Sequence, residues 1–224
     1  MSNATINWRE RLPDSLRLYV LTDRRLSRGR SECEVVQAAI AGGATAIQLR
    51  WKSGSMREAV DIGRELKAIC AQSDVLFVVN DRIDLALALD ADCVHLGDED
   101  LPLDDARQIV GDRMLIGYSP PTLEEAIDAE RLGADYLGVG PVYGTTSKSD
   151  AGEAIGVERI AAVARAVSIP IVGIGGITTG NATAVVRAGA AGVAVISSIV
   201  AADDVELAAR DLRTAVDGAR RTPA

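Results

Sequence analysis

The sequence predicts a single-domain α/β protein folded as a closed (β/α)8 barrel, and three observations carry that prediction. Short β-branched or apolar runs alternate eight times with longer amphipathic stretches, the pattern of repeated strand–helix units. Four of the helical stretches run out into similar text: AGGATAI at Ala41, LDADCVHL at Leu89, LGADYLGV at Leu132 and AGAAGVAV at Ala188. A glycine or small residue there can take the left-handed conformation that ends a helix, so one turn serves one repeated unit. Composition agrees, because 224 residues that are 48% hydrophobic but only 3% aromatic describe one core of small aliphatic side chains. An open doubly wound sheet is the alternative, but eight regular units close naturally into a barrel.

Taken in order, the strand candidates are RLYVLTD from Arg17, TAIQLR from Thr45, LFVVN from Leu76, CVHLG from Cys93, LIGYS from Leu115, DYLGVGPV from Asp135, PIVGIGG from Pro170 and GVAVIS from Gly192. Helices are expected over 33–41, 56–71, 123–132 and 157–167, where apolar residues recur at helical spacing. The barrel is expected to span 17–220. Residues 1–16 read as an N-terminal extension that opens with MSNA, text of the kind an expression tag leaves, and residues 1–15 are given no weight in the fold.

A net charge of −8 disfavours a general nucleic-acid or anionic-membrane binder, which needs broad basic surface. No apolar run is long enough to span a membrane and the polar opening lacks the apolar stretch of a secretion signal, so a cytoplasmic protein is expected. Cys33, Cys70 and Cys93 have no metal-ligand spacing and read as buried, reduced thiols.

In such a barrel the C-terminal ends of the strands and the loops after them form the active site. The second strand ends in QLRWK, where alternation puts Gln48, Arg50 and Lys52 on one side and Leu49 and Trp51 on the other. A guanidinium fork beside a mobile ammonium suits diphosphate oxygens, with a solvated strand end as the plain alternative. NDRID follows the third strand and HLGDED the fourth, so Asp81 and Asp100 fall on adjacent loops beside Asn80 and make a candidate magnesium site. Asp98 and Glu99 fit helix capping better. His95, the sole histidine, lies inside an apolar strand and reads as a satisfied core residue, not a catalyst.

The fifth strand ends at Ser119. The sixth runs into a loop carrying Thr145, Thr146, Ser147 and Lys148, which suits either a phosphate-gathering lid or a merely mobile segment. After the seventh and eighth strands come Gly175–Gly176 and the ISS turn of Ile196, Ser197 and Ser198. Barrels often bind phosphate between these two loops through backbone amides. Two anion pockets, one basic and metal-assisted and one built of amides, suggest a group transfer.

The segments YVLTD, QLRWK, NDRIDLALALDADCVHLGDED, IGYS, GADYLGVGPVYGTTSK, IPIVGIGGIT and GVAVISSI, in this order from Tyr19 to Ile199, together resemble the thiamine phosphate synthase family, whose fold is the TIM barrel. The resemblance implies a transferase of thiamine biosynthesis. It would join 4-amino-2-methyl-5-(diphosphooxymethyl)pyrimidine to 4-methyl-5-(2-phosphoethyl)thiazole, releasing diphosphate with the help of Mg2+. It further implies that Gln48, Leu49, Arg50, Trp51, Lys52 and Asn80 hold the pyrimidine diphosphate, that Asp81 and Asp100 bind magnesium, and that Ser119 lies near the reacting pyrimidine. Thr145, Thr146, Ser147, Gly176, Ile196 and Ser197 would hold the thiazole phosphate, and Lys148 would reach the leaving diphosphate. Arg50, Lys52, Ser119 and Lys148 are the candidate catalytic residues.

The chain departs from the family pattern at Asp98, where glutamine is usual, Gly144 where the lid has proline, Ser147 where it has threonine, and Pro121 where histidine is often found. Ser147 keeps the hydroxyl, while Gly144 bears on the lid's stiffness and Asp98 on the surroundings of the metal. The alternatives are a thiazole tautomerase-like relative and a non-catalytic phosphate-ligand-binding regulator. Either could dispense with Asp81, Asp100 and Lys148. Small-molecule partners are expected, and a homo-oligomer is compatible with the sequence.

Overall fold

A computed structural model describes residues 6–145, 147 and 152–221. The chain opens with α1 (Trp8–Ser15) and continues as β1 (Leu18–Leu21), α2 (Glu32–Ala41), β2 (Ala46–Leu49), α3 (Met56–Gln72), β3 (Leu76–Asn80), α4 (Ile83–Ala88), β4 (Cys93–Leu96), α5 (Leu103–Val110) and β5 (Leu115–Tyr118). It then runs α6 (Leu123–Arg131), β6 (Tyr136–Val139), α7 (Gly156–Ala166), β7 (Ile171–Ile174), α8 (Ala182–Arg187), β8 (Gly192–Val195), α9 (Ser197–Val200) and α10 (Val205–Arg221). The strands form a closed barrel in sequence order, with β8 pairing in parallel against β1. The barrel, not the open sheet, is the fold. β3 matches its expected run, and the other strands are shorter by one to four residues, trimmed at either end.

Period-two alternation divides each strand between two cores. Val20, Ile47, Leu49, Phe77, Val79, Val94, Ile116 and Leu137 face outward into the layer shared with the helices. Tyr19, Leu21, Ala46, Val78, Cys93, Tyr136 and Ala194 face inward and fill the barrel. Buried on both faces, the strands read as continuous apolar runs.

The four repeated helix ends are left-handed turns, centred on Gly43 (φ 101°), Asp90 (φ 49°), Gly133 (φ 96°) and Gly189 (φ 110°). Three of them share a second device. The side chain just before the new strand accepts an N–H from the first or second residue of the preceding one: Thr45 from Leu18 at 2.9 Å, Asp92 from Phe77 at 3.0 Å and Asp135 from Ile116 at 2.8 Å. An otherwise unpaired strand-end donor is thereby satisfied, which explains a threonine or aspartate in that place of the repeated text.

The expectation that residues 1–15 carry no weight in the fold is corrected for Trp8–Ser15. Leu12 of α1 and the following Leu16 are buried in the inner core, with Trp8 packed beside them. Arg9 pairs with Asp135, and Arg220 of α10 donates to the Pro13 carbonyl at 3.2 Å. The helix closes the N-terminal end of the barrel, and burial of Leu12 and of the following Leu16 is what recruits it.

Interior glycines make room for large polar rings. A Cβ on Gly117 would lie 2.2 Å from Cζ of Tyr136 and 2.4 Å from its hydroxyl oxygen. Gly117→Ala is therefore expected to destabilise the barrel by about 1–3 kcal/mol through overpacking, read as a lower denaturation midpoint. A midpoint equal to wild type would show that Tyr136 can move aside freely.

Candidate active site

A cavity of about 370 Å³ opens at the C-terminal ends of the strands, within the size range of small-molecule sites. Its lining includes Arg50, Lys52, Asn80, Asp81, Asp100, Ser119, Thr145, Ser147, Gly176, Ile196 and Ser197. Residues far apart in sequence meet there because every parallel strand points its C-terminal end the same way. Thr146 and Lys148 lie outside the described residues.

One end of the cavity is charged. Arg50, just past β2, donates from Nη1 to Asp23 Oδ2 at 2.8 Å, and Lys52 Nζ lies 2.7 Å from Asp81 Oδ2. Asp81 stands directly after β3 with φ 63°, its backbone N–H bonded to the His95 carbonyl at 2.8 Å. That left-handed turn, which aspartate tolerates better than most residues, swings its carboxylate toward the loop after β4. There Asp100 Oδ2 accepts the Gly97 N–H at 2.7 Å. Partial burial raises the pKa of Asp100, and the neighbouring charge of Asp81 raises it further, while Lys52 and the Gly97 N–H act in the opposite sense.

Two facing carboxylates that repel each other fit a divalent cation. Among the described residues no group of three or more acidic, cysteine or histidine side chains could cage a metal. Magnesium characteristically takes only one or two carboxylates and completes its shell with water and phosphate oxygens. The donor set fits that habit.

Because folded Asp100 holds its proton above the ordinary value of 3.8, its contribution to stability is present below that value and is lost as pH rises through the raised one. At neutral pH the ionised group opposes folding. Asp100→Asn is therefore expected to raise the Tm of the ligand-free protein at neutral pH while lowering activity, with the Tm gain shrinking in acid. A lower Tm at neutral pH would contradict this account.

The other end is built of backbone and hydroxyls. Gly175 (φ 95°) and Gly176 (φ 63°) follow β7 in left-handed conformations. The Tyr143 N–H donates to the Gly175 carbonyl at 3.0 Å, which ties the loop after β6 to this turn. Ser147 Oγ lies 3.0 Å from Ser197 Oγ, and the Ser147 N–H donates to Thr145 Oγ1 at 3.2 Å. Glycine geometry that bares the backbone next to a cluster of hydroxyls suits a phosphate.

Some expectations are corrected. His95 is not confined to a strand core: its ring lines the cavity floor, with Nε2 2.9 Å from Ser119 Oγ and Nδ1 2.9 Å from the Tyr136 hydroxyl. It faces inward because it alternates with the outward Val94 and Leu96. The chain continues from Tyr136 to the Tyr19 hydroxyl at 3.0 Å, which accepts from Gln48 Nε2 at 2.6 Å. Burial raises both phenol pKa values well above the ordinary range, so both tyrosines keep their protons at neutral pH.

Gln48 is buried in the barrel beneath the cavity, while Leu49 and Trp51 point away from it, as alternation requires. The resemblance had included them among the pyrimidine-binding residues. Trp51 packs against the helix layer with the Arg24 guanidinium 4.5 Å from its ring centroid. Asp98 and Glu99 do not cap α5, which begins after Pro102 without a side-chain cap; they line the cavity rim. Residues missed in the sequence are Asp23 and the Tyr19–Tyr136 pair. Tyr19 and Asp23 stand in YVLTD, which offered a signal that no charge or spacing rule could interpret. The cysteines are free; burial raises the thiol of Cys33 to about 11 and that of Cys70 to about 12, and raises Cys93 as well, so all three are protonated at neutral pH. Among the described residues, no helix is long and apolar enough to cross a membrane.

The profile of a family described as "Thiamine monophosphate synthase" matches residues 18–199. A protein of Haloarcula marismortui named thiamine-phosphate synthase is 53% identical over 206 residues, covering 91% of this chain and 98% of the relative. One of the same name from Chloroflexus aurantiacus is 52% identical over 200 residues, covering 89% and 92%. The solved structure of thiamine phosphate pyrophosphorylase from Pyrococcus furiosus superposes with a TM-score of 0.86 at 46% identity, over 93% of this chain and 98% of that one.

Proposed function

The chain belongs to the thiamine monophosphate synthase family, and from that premise we propose how its own residues carry out the family's reaction. The reaction is thiamine phosphate synthesis: the pyrimidine loses diphosphate from its exocyclic carbon, and the thiazole nitrogen takes its place. The observation that carries the assignment of residues is one cavity with two unlike ends, cations and carboxylates at one and bare backbone with hydroxyls at the other.

Arg50, Lys52 and Asn80 take the diphosphate. Asp81 and Asp100 would hold a magnesium ion, which when bound supplies positive charge to the oxygens of the departing diphosphate. Lys148 is assigned to the same leaving group on the family resemblance. At the opposite end Gly176, Ile196, Ser197, Thr145 and Ser147 hold the thiazole phosphate, and Thr146 is assigned to it on the family resemblance. Ser119, fixed by His95 from below, borders the reacting pyrimidine.

The carbon–oxygen bond breaks with its electron pair leaving on diphosphate, and the carbon–nitrogen bond forms with the lone pair of the thiazole. The electron-rich aminopyrimidine stabilises the cationic carbon between these events. No proton need move, so the protein's work is orientation, exclusion of water and stabilisation of the growing negative charge. The segment Trp8–Leu16 joins the barrel in one unit under this reading, with α1 as the barrel's floor.

Pro121 borders the cavity where relatives often carry histidine, and proline cannot shuttle a proton on a thiazole ring. Incubation with both substrates and magnesium should release diphosphate and thiamine phosphate in equal amounts, with negligible ring tautomerisation. Rapid tautomerisation without diphosphate release would reverse the reading.

A further inference from the structure

The motif YVLTD ends in a carboxylate that the reaction outlined above does not use. Asp23 lies just past β1 with its side chain 2% exposed. Leaving such a charge buried and unpaired costs several kcal/mol or more, so its partners are informative. Oδ2 accepts from Arg50 Nη1 at 2.8 Å, and Oδ1 accepts the Arg25 backbone N–H at 3.0 Å. The Arg25 guanidinium approaches at 3.4 Å from the solvent side.

The preceding residue holds the other end of Arg50. Thr22 Oγ1 accepts the Arg50 backbone N–H at 3.1 Å, and the Thr22 N–H donates to the Gln48 carbonyl at 2.9 Å. Backbone and guanidinium of Arg50 are thus both pinned by the end of the neighbouring strand. Its side chain is 7% exposed, yet its buried Nε–H finds no partner among the described residues, and Arg50 lines the cavity. A buried donor left in this way costs about 1–3 kcal/mol, which a ligand oxygen would relieve.

We infer that Asp23 is a positioning residue for the reaction: it anchors one arm of the Arg50 fork so that the unpartnered remainder meets the diphosphate of the pyrimidine substrate. The inference rests on the assignment of Arg50 to that diphosphate. A flexible arginine must surrender rotamer freedom to grip two oxygens, and a buried carboxylate partner removes that freedom before the ligand arrives.

The test compares Asp23→Asn, Asp23→Glu, Arg50→Gln and the Asp23→Asn/Arg50→Gln double variant. KM is measured for each substrate, and calorimetry follows inorganic diphosphate in the presence of magnesium. Asp23→Asn should weaken diphosphate binding and raise KM for the pyrimidine diphosphate about tenfold, the effect of one charge-assisted hydrogen bond poorly made. KM for the thiazole phosphate should stay within about twofold, since its pocket is at the far end of the cavity. Asp23→Glu should recover part of the loss, and the double variant should be no worse than Arg50→Gln alone. Equal damage to both substrates, additive losses in the double variant, or failure of both Asp23 variants to fold would make the carboxylate structural and overturn the inference. A defect in Arg50→Gln that Asp23→Asn does not share overturns this inference alone. Normal diphosphate binding by Arg50→Gln overturns it together with the assignment of Arg50.

Discussion

Asp81→Asn is expected to lower kcat for thiamine phosphate formation by roughly 10²-fold or more while leaving the barrel folded. Asparagine is the informative replacement because Asp81 sits at φ 63°, and asparagine enters that left-handed region almost as readily as aspartate. The change therefore removes charge without adding backbone strain, which alanine would not achieve. It breaks the ion pair with Lys52, but that ammonium is half exposed, so the stability change should be about 1 kcal/mol or less. Activity titrated against magnesium should show a raised metal requirement in the variant and loss of wild-type activity in chelator. Wild-type turnover in chelator, or an unimpaired Asp81→Asn enzyme, would remove Asp81 and Asp100 from the metal site.

Gly176→Val is expected to raise KM for the thiazole phosphate on the order of 10²-fold, through a different physical route. A Cβ at Gly176 would lie 2.5 Å from the Gly144 carbonyl oxygen and 2.8 Å from Cβ of Tyr143. A β-branched residue also resists φ 63°, so the turn after β7 and the loop after β6 must separate. That displaces the bare backbone on which the phosphate is assigned to rest. Binding of diphosphate with magnesium should persist, which distinguishes a local change from unfolding. Should thiazole phosphate bind normally to Gly176→Val but fail to bind Arg50→Gln, the two substrates occupy the reverse ends of the cavity.

Much of the fold was legible because it depends on local chemistry repeated along the chain. Short, near-continuous apolar runs bounded by left-handed helix ends recur without reference to anything distant, and Gly43, Asp90, Gly133 and Gly189 occupy those ends. Alternation also turned Leu49 and Trp51 away from the cavity, where the family resemblance had placed them among the binding residues. The site was legible where residue type states its chemistry: Arg50, Lys52, Asp81 and Asp100 are charges at strand ends, and in a parallel barrel every strand end shares one face.

What the sequence by itself determined, then, is the barrel, the face of each strand and the set of charged groups at its mouth, since these follow from period and position. The tertiary structure alone decided the pairings across the barrel. His95 bonds Ser119 and Tyr136, 24 and 41 residues away, and Arg50 bonds Asp23, 27 residues away. It also decided that Trp8–Ser15 closes the barrel floor, because a short helix with one buried leucine and another just after it looks dispensable until the apolar end it covers is seen. The reason is common to all three: contacts between segments distant in the chain depend on how the barrel closes, and the His95 network needs in addition the space left by Gly117 and Gly138, and neither has a signature in local periodicity.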